Sequence, residues 1–68
     1  MNNIPNNYAS KLDTSLMVID DDDVFRNRLI TAMKRKGYDA FGASSVVEAK
    51  DLLNLKTPKY AVIDLRLK

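Results

Sequence analysis

Hydrophobic and polar positions divide this chain into five short blocks. Leu16-Met17-Val18-Ile19 is a continuous apolar run that stops at the acidic run Asp20 to Asp23. Tyr60-Ala61-Val62-Ile63 is a second, stopping at Asp64. Runs this short and rich in Val and Ile read as strands buried on both faces of a parallel sheet. Between them the period changes. Phe25, Leu29, Ala32 and Met33 recur at i, i+4, i+7 and i+8, a helical stripe predicting a helix from about Asp23 to Lys36. Asp22 or Asp23 suits its amino end as a cap and complement to the dipole, Lys34 to Lys36 suit its carboxyl end, and Gly37 is placed to stop it. Tyr38 to Phe41 reads as a short second strand. Ser45-Val46-Val47-Glu48 then has the form of a capping box opening a second helix. Val46, Ala49, Leu52 and Leu53 line that helix through about Leu55, and Thr57-Pro58 breaks the chain before the last strand. Phe25, Leu29, Met33, Leu52 and Leu53 are the expected core contributions of the helices, and Tyr38 and Tyr60 are expected to pack at strand starts.

The predicted order is strand, helix, strand, helix, strand, an α/β class with a doubly wound parallel sheet. In such sheets ligands bind outside the carboxyl ends of the strands, at the point where strand order reverses. A sheet order of 2-1-3 makes the ends of strands one and three neighbours, which would bring Asp20, Asp21 and Asp64 to one crevice. Residues 1–14, rich in Asn and containing Pro5, show neither period and read as a mobile lead-in.

Composition narrows the chemistry. At 68 residues the chain is at most one small domain or a piece of one. With no Cys and no His there is no thiolate or imidazole ligand and no imidazole base, so any metal must be a hard cation held by oxygen. The net charge of +2, with basic residues scattered along the chain, says little about nucleic acid or membrane. No apolar stretch approaches the roughly 18 residues of a membrane span, so a soluble cytoplasmic protein is the expectation. The only glycines are Gly37 and Gly42, outside the first strand-to-helix turn, which sets aside a P-loop and a dinucleotide fold. Clustered carboxylates repel one another, and Mg²⁺, which takes oxygen ligands and phosphate oxygens together, would relieve that repulsion. A neighbouring carboxylate can then attack phosphorus. Asp64, alone at its strand end, is the better nucleophile candidate, and Asp20 and Asp21 the better metal holders. Arg26, Arg28 and Lys34 to Lys36 read as a solvated helix face.

Val18-Ile19-Asp20-Asp21-Asp22-Asp23-Val24-Phe25-Arg26 and Ala61-Val62-Ile63-Asp64-Leu65-Arg66-Leu67 together resemble the two acidic motifs of response-regulator receiver domains. The similarity runs from about Ser15 to Lys68. More narrowly, Phe25-Arg26-Asn27-Arg28-Leu29, Arg35-Lys36-Gly37-Tyr38 and Asp64-Leu65-Arg66-Leu67 resemble the redox-responsive global regulators of proteobacteria. The resemblance implies a flavodoxin-like receiver fold of which residues 15–68 are the first β-α-β-α-β portion. It implies Asp64 as phosphoacceptor and also a metal ligand, Asp21 as a direct Mg²⁺ ligand, Asp20 as a ligand acting largely through water, and the backbone carbonyl of Arg66 as a further ligand. Asp22 and Asp23 match helix-entry positions. The implied partner is a sensor histidine kinase, with DNA reached only through a further helix-turn-helix domain of the parent, dimerisation left to that full-length parent, and no enzymatic activity of the chain's own. A fourth strand bearing a hydroxyl residue and a fifth bearing a lysine are absent, so the third strand is expected to be an exposed apolar edge. Two rival readings stand beside this one. Asp20-Asp21-Asp22-Asp23-Val24 also fits the Asp-x-Asp-x-Val motif of haloacid-dehalogenase-type phosphatases, with Asp20 as nucleophile, and an inert receiver-like interaction module would keep the fold without the chemistry.

Overall fold

In the computed structural model, residues 12–64 are described. They form β1 (Ser15–Asp20), α1 (Asp23–Arg35), β2 (Asp39–Ala43), α2 (Val46–Leu55) and β3 (Tyr60–Asp64). The three strands make one parallel sheet in the order β2-β1-β3. This is the expected β-α-β-α-β portion of a flavodoxin-like receiver fold. The readings that fall on residues 1–11 and 65–68, including the mobile lead-in and Arg66, lie outside the described residues. Among the described residues no helix is long and apolar enough to cross a membrane.

Local chemistry fixes the helix ends. Asp22 is extended and its Oδ1 accepts from the Phe25 amide at 3.0 Å, so it is the N-cap of α1. Asp23 sits one residue further in, in the first turn, where a negative charge still complements the dipole. At the other end Gly37 adopts φ +100°, its amide donates to the Lys34 carbonyl, and the Tyr38 amide donates to the Met33 carbonyl, each at 3.0 Å. That pair of bonds is a Schellman motif, and it needs a residue free to take positive φ. Ser45 caps α2 by accepting from the Glu48 amide at 3.1 Å. Glu48 returns the bond one residue earlier than a capping box predicts, accepting from the Ser44 amide at 2.8 Å.

The core forms on both faces of β1, whose six residues are all buried. On one face Leu16, Val18 and Ala40 meet Leu29, Ile30, Met33 and Tyr38 under α1. On the other Met17, Ile19, Ala43 and Ala49 meet Phe41 and Leu52 under α2. Three expectations are corrected. The second strand begins at Asp39 and runs to Ala43, because its pairing with β1 carries Gly42 and Ala43 opposite Val18 and Ile19. Phe25 and Leu53, expected in the core, are 47% and 43% exposed, since the described elements give them nothing to pack on. The last strand is not buried on both faces: Tyr60 to Ile63 are exposed, as the edge reading of this strand requires.

Candidate functional site

The carboxyl ends of β1 and β3 define the acidic corner. Parallel register places Asp20 opposite Asp64, so two acids from distant parts of the sequence terminate adjacent strands at the same level. Asp20 is 1% exposed. Its Oδ1 accepts from the Asp22 amide at 2.8 Å, closing the turn into α1, and its Oδ2 is buried with no hydrogen-bond partner. A buried carboxylate oxygen without a donor is costly, and a hard cation is the kind of partner that offsets the cost. Asp64 is half-buried at its strand end. Asp21 lies on the turn itself and is exposed.

Strand pairing thus brings Asp20 and Asp64 together, whereas the chain turns at Asp21 and leaves it facing solvent. Among the described residues no group of three or more acids is gathered tightly enough to hold a metal ion. Asp22 is occupied as the helix cap, and Asp23 pairs with Arg26, Oδ1 to NH2 at 2.6 Å. A depression of about 460 Å³ lined by Asn27, Arg28, Thr31, Ala32 and Arg35, and one of about 260 Å³ lined by Thr14, Lys36, Gly37, Tyr38 and Tyr60, lie away from this corner.

One residue of the corner is missed by sequence reasoning. Arg26 reads as part of a solvated face, yet its side chain is only 14% exposed and its NH1 donates to the Asp20 carbonyl at 2.7 Å. The signal lies in a pair of distant positions: the Arg26 stem packs against Gly42 on β2, and a Cβ there would lie 3.0 Å from Arg26 Cδ.

Comparison with known proteins agrees with the resemblance in the motifs. The chain is 46% identical over 55 residues to the photosynthetic apparatus regulatory protein RegA of Cereibacter sphaeroides, covering 81% of this chain and 30% of that protein. It is 41% identical over 60 residues to RegA of Rhodovulum sulfidophilum, covering 88% of this chain and 33% of that one. It is 46% identical over 55 residues to the acid tolerance regulatory protein ActR of Rhizobium meliloti, covering 81% and 28%. The chain therefore spans about a third of the length of these relatives. No protein-family model and no solved structure matches it. The chain is a homologue of the RegA and ActR response regulators, the redox-responsive global regulators of proteobacteria, over a stretch that has the receiver β-α-β-α-β order.

Proposed function

We propose that this chain carries the phosphoacceptor corner of a two-component receiver, with Asp64 as the residue that takes the phosphoryl group from a sensor histidine kinase. The observation that carries the reading is the register of Asp64 with Asp20, whose Oδ2 is buried and lacks a partner. A carboxylate oxygen of Asp64 attacks the phosphorus, the phosphorus–nitrogen bond of the kinase phosphohistidine breaks, and the imidazole leaves with the bonding electron pair. Asp20 and Asp21, with the Arg66 carbonyl, would hold Mg²⁺, which supplies charge neutralisation for the transferring oxygens. Asp20 is supported as the anchor because its carboxylate is fixed by the Asp22 amide and retains one unmatched oxygen. The exposed Asp21 supplies a ligand that can turn toward the ion. In this reading the chain is a phosphoacceptor in the cytoplasm and not an enzyme, and DNA binding belongs to other parts of a parent regulator.

The test is incubation of the chain with Mg²⁺ and acetyl phosphate, read by intact mass. One phosphoryl-mass adduct, removed by hydroxylamine and absent from Asp64→Asn, is the expected result. An adduct that survives Asp64→Asn but is lost in Asp20→Asn would replace this reading with the phosphatase-type one. No adduct on the parent chain would leave an inert receiver-like module.

A further inference from the structure

Arg26 ties the acidic turn from outside the set of candidate ligands. Its guanidinium leaves α1 in the first turn and divides between two acceptors, NH1 to the backbone carbonyl of Asp20 at 2.7 Å and NH2 to the Asp23 carboxylate at 2.6 Å. The first acceptor belongs to the last residue of β1 and the second to the first residue of α1, so one planar group spans the whole strand-to-helix turn. Arg can do this because its fork offers donors in fixed directions, whereas a Lys ammonium is a single point of charge on a flexible stem. Its side chain is 14% exposed against 76% for Asp23, which makes the Asp20 carbonyl the sheltered half of the clamp and the Asp23 pair the solvated half.

The sheet is shaped to admit this side chain. Gly42 lies in β2, directly opposite Val18 in register. A Cβ at that position would lie 3.0 Å from Arg26 Cδ, 3.2 Å from Arg26 Cγ and 2.6 Å from Ile30 Cδ1. Gly42 is not in the positive-φ region, so its lack of a side chain serves space and not backbone conformation. The missing side chain at Gly42 therefore leaves room on this face of β2 for the Arg26 stem and Ile30 Cδ1.

We infer that Arg26 is a positioning residue for the acidic corner, holding the Asp20–Asp23 turn in the one conformation in which the Asp20 carboxylate is presented beside Asp64, with Gly42 as the gap that lets it reach. Its two acceptors are the Asp20 carbonyl and the Asp23 carboxylate. Its effect is to hold the backbone at Asp20, just before Asp21, so that binding a cation does not have to order the turn first. The inference rests on the proposed Mg²⁺ and phosphoryl site for its consequence, but the ordering of the turn is measurable without either.

The experiment uses the 68-residue chain in four forms: parent, Arg26→Lys, Gly42→Ala and Asp23→Ala. Backbone amide order parameters of residues 20–23 are measured by NMR without metal, followed by Mg²⁺ titration on the same samples. In the parent the turn is expected near the rigid-backbone value of about 0.85, and Arg26→Lys and Gly42→Ala are expected to drop it toward about 0.6 while the order of β1 stays unchanged. Mg²⁺ affinity should fall roughly tenfold or more in both variants, the usual effect of removing a group that orients ligands. Asp23→Ala removes only the solvated half of the clamp and should leave both readings near the parent. A turn that stays rigid in Arg26→Lys and Gly42→Ala overturns the inference whatever happens to the metal. A turn that loosens while Mg²⁺ affinity holds overturns the positioning role. If the parent binds no Mg²⁺, the proposed function fails on that result and the order parameters alone decide whether Arg26 sets the turn.

Discussion

β1 and β3 carry nearly the same pattern, an apolar run closed by aspartate, and meet opposite fates. Every residue of β1 is buried, and Met17, Val18 and Asp20 are among the largest fully enclosed side chains. In β3, Tyr60 to Ile63 are exposed and Asp64 is half-buried. The two strands are register partners, so the difference owes nothing to depth along the sheet. It comes from neighbours. β1 has a strand on each side and a helix over each face, while the helices α1 and α2 rest chiefly on β1 and β2. An apolar run states that a strand can be enclosed, and its place in the sheet decides whether it is. The same contrast separates the acids. Asp20 is buried with its Oδ1 held by the Asp22 amide, and Asp64 is half-buried at the end of an exposed strand.

The sharpest way to break that comparison is to make one substitution in both strands. Ile19 and Ile63 are paired in register, 8% and 59% exposed. Ile19→Ala is expected to cost about 2–5 kcal/mol, through lost burial and the cavity left in the cluster with Met17, Ala43 and Ala49. Ile63→Ala should cost under about 1 kcal/mol, since little of its surface leaves water. Urea unfolding followed by circular dichroism reads both. Similar losses would mean that β3 is enclosed in solution and that the two strands are not different in kind.

The next effect in size concerns the acids. Replacing Asp20 by Asn removes a buried charge whose Oδ2 has no partner while leaving Oδ1 to accept from the Asp22 amide. In metal-free buffer Asp20→Asn is expected to stabilise the chain by about 1 kcal/mol. Asp64→Asn, at a half-buried position, should change it less. Adding Mg²⁺ should raise the unfolding midpoint of the parent and not that of Asp20→Asn. A destabilised Asp20→Asn in metal-free buffer would show that the carboxylate is already satisfied.

Much of this was legible in the residues, for identifiable reasons. Strand runs, both N-caps, the Gly37 stop and the two acids at strand ends are local signals, each spelled within a few neighbouring residues, whereas the order 2-1-3 is one of those that right-handed crossovers allow and is settled only by the observed pairing. What the sequence concealed is what depends on distant partners. The extension of β2 to Ala43 depends on β1 opposite it, and Ile30 of α1 packs against Leu16, Val18 and Ala40 although the stripe from Phe25 to Met33 omits it. Arg26 looks like any charged helix residue until Gly42, sixteen positions away, removes the side chain that would block it. Phe25 and Leu53 have the right spacing for a core and lack a neighbour to form one with.

A smaller effect sharpens the contrast from the covered side. α2 closes only the face made by Met17, Ile19 and Ala43, and Ser45 is its cap. Ser45→Ala should cost about 1 kcal/mol overall. Hydrogen exchange should locate the loss in α2 and β2, with β3 amides unaffected beyond the global change. Equal loosening of β3 would tie the open strand to α2.

The weakest expected effect lies at the polar tie that joins the two strands at their amino ends. Asp13 Oδ1 accepts from the Ser15 amide at 3.0 Å and from Ser15 Oγ at 2.5 Å. Ser15 Oγ and the Ser15 carbonyl both accept from the Lys59 amide, at 2.9 and 3.1 Å, just before β3 begins. The Ser15 hydroxyl bond, then the Ser15 amide, hold the Asp13 carboxyl below its ordinary value of 3.8, with Lys59 and Lys56 adding to the shift. A depressed carboxyl contributes stability above its unfolded value and loses it as pH falls through the folded one. The parent should therefore exceed Asp13→Asn by a constant small margin from about pH 7 to about pH 5, and the margin should shrink as pH drops below about 3.8. Lys59 amide exchange, corrected for its intrinsic pH dependence, should rise over the same range, because protonating Asp13 removes the acceptor that orients the Ser15 hydroxyl toward it. A margin that persisted below that range would place the stabilisation in the shape of the side chain and not in its charge, and the amino end of β3 would then be held by the Ser15 backbone alone.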